Sequence, residues 1–82
     1  MSTKAYVLIE TTVGHTHDVS SALTALREVE AVDPVTGPYD IIVVLSTSDL
    51  NAVGTLVTNH IHTIPGISRT VTCLKLSVSD NE

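Results

Sequence analysis

Tryptophan and phenylalanine are absent from this chain, which leaves Tyr6 and Tyr39 as its only Tyr, Phe or Trp rings. A core without bulky rings must be assembled from Val, Leu, Ile and Ala, the palette of sheets with helices packed on them. Cysteine is nearly absent too. The single Cys73 excludes an internal disulfide framework and fits a reducing compartment. Cations are scarce: Lys4, Arg27, Arg69 and Lys75 stand against nine acids, for a formal charge of −5. Binding a phosphate backbone depends on clustered cations, so four scattered ones argue against a direct nucleic-acid partner. No segment approaches the roughly 18 uninterrupted apolar residues of a membrane span. The opening MSTKAYVLIETT lacks a true apolar signal core and a small-residue cleavage site, so it reads as a strand and not a signal peptide. A cytoplasmic protein without a membrane partner is the expectation. Neither G-x-G-x-x-G nor a phosphate loop occurs.

What is present is aliphatic. Hydrophobic residues make up 43% of only 82 positions. A chain of this size forms one domain and buries only about 60% of its unfolded surface when it folds alone. A partner subunit is the natural place to bury the excess.

Along the chain, Ala5 to Thr11 (AYVLIET) is a β-branched apolar run of strand length, ended by Gly14. From His15 to Val29 the spacing changes, with Val19, Ala22, Leu23, Leu26 and Val29 forming one face of an amphipathic helix. Thr16 is the expected N-cap, and Asp18 suits the positive end of the dipole. Ala31 to Thr36 is a short strand whose Pro34 removes a ladder donor and so demands an edge position. Tyr39 to Leu45 (YDIIVVL) carries five successive aliphatics and reads as a central strand buried on both faces. A second helix begins after STSD, with Ser48 as the expected cap, and carries Leu50, Val53, Val57, Ile61 and Ile64 on one stripe. Pro65 and Gly66 stop it. Ile67 to Val78 gives the last strand, and residues 77–82 hold an acidic frayed tail.

The order β-α-β-β-α-β predicts an α+β, ferredoxin-like fold, with a four-stranded antiparallel sheet and both helices on one face. Strands one and three belong in the middle. The uncovered face should be polar if it met water, but Tyr6 and Leu8 in strand one, and Ile42 and Val44 in strand three, are not. An apolar patch of that kind is rare in a monomer, so two sheets packed face to face in a two-fold dimer are expected, a dimeric α/β sandwich or barrel.

The chemistry-bearing residues are few. His15 and His17, and His60 and His62, are spaced by two, which on a helix points their rings about 200° apart and cannot chelate as an i, i+4 pair does. No metal and no cofactor is expected. Cys73 alternates with Leu74 and should be a buried small hydrophobe. Glu10 and Lys75 fall on neighbouring strands and should form a cross-strand ion pair. Gly54, inside a helix, costs about 1 kcal/mol relative to alanine, and a close approach of another element is the usual reason. The segments VTGPYD at residues 35–40 and RTVT at 69–72 are more informative together. The first offers a glycine amide, a phenol and a carboxylate; the second places Thr70 and Thr72 on one face of a strand. A carboxylate can hold an ammonium, while hydroxyls and amides can hold a carboxylate, the chemistry of a zwitterion site.

Four features in order, V-T-G-x-Y-D, I-P-G-I, R-T-x-T and the six-element pattern, resemble the C-terminal effector-binding domain of Lrp/AsnC transcription regulators, also called RAM, over about residues 4 to 76. With strand one starting near Met1, the chain looks like a stand-alone RAM protein without a helix-turn-helix. The resemblance implies a non-enzymatic, amino-acid-sensing module that modulates transcription through partners. It also implies homodimers that assemble into higher oligomers, octamers above all, with a full-length Lrp/AsnC regulator as a candidate partner. It places the effector between dimers, against Thr36, Gly37, Tyr39 and Asp40 of the hairpin and Thr70 and Thr72 of the last strand. Donor chemistry would make Asp40 the ammonium partner and Thr70, Thr72 and the Gly37 amide carboxylate donors. Pro38 departs from the family pattern and removes an amide there. The competing expectations are a small monooxygenase-like enzyme of the same dimeric barrel type and a ligand-free structural oligomer.

Overall fold

A computed structural model describes residues 2–76 of the chain. It contains β1 (Thr3–Thr11), α1 (Thr16–Thr24), β2 (Val29–Pro34), β3 (Ile41–Thr47), α2 (Leu50–Leu56), a π-helical turn (Val57–Ile61) and β4 (Ile67–Leu74). The strands form one antiparallel sheet in the order β2-β3-β1-β4. This is the expected ferredoxin-like arrangement, with Pro34 on an edge strand as its missing donor requires. The tail expected over 77–82 lies outside the described residues.

Register explains the core. Ala5, Val7 and Ile9 pair with Leu45, Val43 and Ile41, and all six are fully buried. Val19 and Leu23 of α1, Val53 and Leu56 of α2, and Val57 and Ile61 of the π-turn close over them. Tyr6 and Leu8 point to the other side, beside Val44 and Ile42, and are only half-buried. Thus one sheet face is sealed by helices and the opposite face is apolar and uncovered. Leu50 does not join the α2 stripe, being 58% exposed, and Leu56 takes the buried position.

Both caps differ from the expected residues. His15 precedes α1 and makes no side-chain cap bond, while Thr16, the expected cap, lies inside the helix with its hydroxyl 2.8 Å from that of Thr11. At α2 the cap is Asp49, whose carboxylate accepts from the Ala52 amide at 2.8 Å, while Ser48 lies outside. The helix expected over 15–29 stops at Thr24. The backbone carbonyl of Glu28 accepts from the Ser46 amide at 3.0 Å, which draws the chain into β2 from Val29. β4 ends at Leu74, short of the expected Val78.

Gly54 has no neighbour among the described residues within 4 Å of where a Cβ would stand, so no described element approaches it closely. The explanation expected for this glycine is therefore absent among the described residues. Gly54→Ala should raise stability by about 1 kcal/mol, the helix-propensity difference, read as a higher urea midpoint with unchanged slope.

Candidate functional site

The hairpin between β2 and β3 closes with the Val35 amide donating to the Asp40 carbonyl at 2.9 Å. Gly37 sits inside it at φ 140°, a positive value that side-chain-bearing residues rarely adopt. Thr36, Gly37 and Pro38 are exposed, while Tyr39 and Asp40 are half-buried.

Asp40 is tied to the fold. Its backbone amide donates to the Ile9 carbonyl at 2.8 Å, prolonging the β1–β3 ladder. Its Oδ2 accepts from the Thr11 amide at 2.8 Å and from the Thr11 hydroxyl at 3.2 Å. Thr11 lies beyond Ile9, the last β1 residue in register with β3, and the carboxylate supplies the acceptor that its amide needs there. Asp40→Ala should therefore cost about 1.5–3 kcal/mol, the range for a hydrogen bond to a charged group, seen as a lowered urea midpoint without any effector present.

Tyr39 reaches across the sheet end to β4. Arg69 donates through Nη2 to the Tyr39 hydroxyl at 3.1 Å, and its guanidinium carbon lies 5.6 Å from the ring centroid. The Arg69 Nε stands 3.9 Å from Glu10 Oε1. Glu10 is paired in register with Arg69, so this is the cross-strand ion pair of the sheet. Lys75, the expected partner, lies beside Lys4 at the opposite end of β1, and its amide donates to the Lys4 carbonyl at 2.9 Å. Lys4 itself pairs with Glu30 at 3.2 Å.

Thr70 and Thr72 face the other way. They pair with the core residues Ile9 and Val7, which turns both hydroxyls to the helix side. The Thr70 hydroxyl is 2.9 Å from His62 Nε2. His62 is held there by the π-turn, through its amide donating to the Val57 carbonyl at 2.8 Å. Thr72 lines a groove of about 750 Å³ between α2 and β4, together with Leu50, Asn51, Gly54, Thr58 and Leu74. Cys73 lies on the uncovered face opposite Tyr6 and is exposed, so the expected burial is absent within one chain. Among the described residues, no three or more His, Cys, Asp and Glu side chains are grouped so as to hold a metal ion. No helix among the described residues is long and apolar enough to cross a membrane.

Within one chain, then, Tyr39 shares the uncovered-face rim with Glu10 and Arg69, while Thr70 and Thr72 lie on the helix side. The six expected residues do not converge on one pocket. Arg69 was legible as a cation in RTVT, and its alternation with Thr70 is the signal that sets it on the hairpin's face.

Sheet order, register and helices on a single face define an α+β domain of the ferredoxin-like class. A family model described as the Lrp/AsnC ligand binding domain matches residues 4–81. The chain belongs to that family. Solved structures of similar proteins include TTHA0845 from Thermus thermophilus, with 30% identity and a TM-score of 0.89 over 94% of this chain and 96% of that one. A hypothetical protein from Pyrococcus horikoshii, PHS023, has 30% identity and a TM-score of 0.86 over 99% and 95%. A transcriptional regulator from Neisseria meningitidis in complex with L-Met, NMB0573, shares the fold at 16% identity and a TM-score of 0.83, over 92% of this chain and 50% of its own. Comparison with curated proteins returns no match.

Proposed function

We propose that this chain is a non-enzymatic regulatory module that binds a small amino-acid effector and changes its assembly in response. The reading is carried by the match of the Lrp/AsnC ligand binding domain across residues 4–81. The L-Met complex of the Neisseria regulator supports an amino acid as the effector class. The apolar sheet face supports a face-to-face dimer, since Leu8, Ile42, Val44 and Val71 would otherwise meet water. Dimers would assemble further, with the effector at the seam between them. Such a seam would let hairpin residues Thr36, Gly37, Tyr39 and Asp40 of one chain meet Thr70 and Thr72 of another, which a single chain keeps on opposite faces. The mechanism is differential binding: an effector that prefers one assembly shifts the population toward it. Output would pass to a cytoplasmic partner, with a full-length Lrp/AsnC regulator as the candidate.

Calorimetry of the intact protein against the L-amino acids, with sedimentation velocity on the same samples, tests this reading. Binding of at least one amino acid with a change in mass distribution is expected. A silent panel with an unchanged mass would overturn it.

A further inference from the structure

The rim where the hairpin meets β4 carries a cation and an anion that are already oriented but loosely joined. We infer that Arg69 grips the carboxylate of the amino-acid effector and that Glu10 grips its ammonium. This inference rests on the reading above that the effector is an amino acid.

Arg69 is the cation that the fold brings to the hairpin. Its Nη2 bond to Tyr39 and its position over that ring fix the direction of the guanidinium plane. At 3.9 Å from Glu10, its Nε is beyond the about 2.7–2.9 Å of a charge-assisted hydrogen bond. Within one chain both side chains are open to solvent, at 61% and 45%, at the rim of the uncovered face. An ion pair that exposed and that long is worth about 0–1 kcal/mol, so separating it costs little. A zwitterion offers each partner a better one. The guanidinium fork matches a carboxylate in a bidentate way, and the Glu10 carboxylate accepts from an ammonium.

Glu10 Oε1 has only long contacts, to Arg69 Nε at 3.9 Å and to Ser68 Oγ at 3.5 Å, whereas the alternative groups are held at shorter range. Asp40 Oδ2 accepts two bonds from Thr11, and the Thr70 hydroxyl is bonded to His62. The groove beside Thr72 is lined by uncharged residues alone and offers a zwitterion no counter-charge. Arg69 and Glu10 supply both charges, on adjacent strands, beside the exposed Gly37–Pro38 turn.

The test uses the full chain and three probes: the L-amino acid that binds tightest to wild type, its deaminated acid and its decarboxylated amine. Arg69→Gln should weaken the amino acid and the acid by about 10- to 100-fold and leave the amine unchanged. Glu10→Gln should weaken the amino acid and the amine and leave the acid unchanged. Arg69→Lys should fall between wild type and Arg69→Gln, because it keeps the charge and loses the fork. Circular dichroism of each variant should match wild type, since neither side chain is in the core. Equal weakening of all three probes in both variants would mark a merely structural rim and overturn the inference. Wild-type affinity in Arg69→Gln and Glu10→Gln would overturn it while leaving the amino-acid module standing. No binding by wild type would overturn both.

Discussion

Leu8→Asp should leave a folded monomer and abolish the proposed face-to-face dimer. Leu8 lies on the uncovered face, in register with Ile42 on one side and Val71 on the other. In a single chain it is only half-buried, so a carboxylate there can stay hydrated and the fold should survive. Between two packed sheets it cannot. An unpaired charge in such a place costs about 3–5 kcal/mol, and two-fold symmetry brings two of them to each interface. The dimer dissociation constant should rise at least about a thousandfold. Sedimentation velocity across a concentration series gives the mass, and far-UV circular dichroism confirms the fold. An unchanged mass distribution would mean that assembly uses another surface.

Of the four glycines, Gly66 should tolerate alanine least. The turn into β4 passes under the start of α1, where a Cβ on Gly66 would stand 2.8 Å from His15 Cβ and 3.1 Å from Val19 Cγ2. The His15 Cβ is fixed by its own backbone and cannot rotate aside. Gly66 also holds φ at 100°, a left-handed value that costs an L-residue about 1–2 kcal/mol. Displacement of α1 adds to that, because overpacking costs about 1–3 kcal/mol. A total near 3 kcal/mol should lower the melting temperature by about 15 °C in a domain of this size. Alanine at Gly54 should do the reverse. The two variants together separate glycine required by geometry from glycine merely tolerated in a helix.

The arrangement of elements was legible because each local signal agreed with the next. The alternation in β1 and β3, the proline in β2 and the Pro65-Gly66 stop all point to one sheet with two helices on one side. The caps were not legible, because hydroxyls compete for partners that only the folded chain supplies. Thr16 is drawn to Thr11, and Asp49 reaches the Ala52 amide that Ser48 was expected to serve. The partner of Glu10 required the antiparallel register, which places Lys75 at the far end of β1. Cys73 was expected to be buried, an inference about sheet faces that a single chain leaves open. For the candidate site, the pairing of Thr70 with Thr72 followed from strand periodicity alone. Which face they shared depended on their partners Ile9 and Val7. The same missing register hid the partners of Arg69, which are Tyr39 and Glu10.

The first strand and the last strand lie side by side, with Ala5 opposite Leu74. Pairing them closes a loop that spans nearly all of the described chain, and such distant pairings form late because their closure entropy precedes any reward. On the ribosome, β1 and β3 can pair as soon as the first hairpin unit has emerged. The outer edge of β1 then waits, with its amides and carbonyls open, until β4 is released. For that interval the nascent chain offers a template strand to any neighbour being made on the same message. The β1 edge is therefore where a misassembled polymer would begin, and an excess of free β4 peptide during synthesis would compete for it.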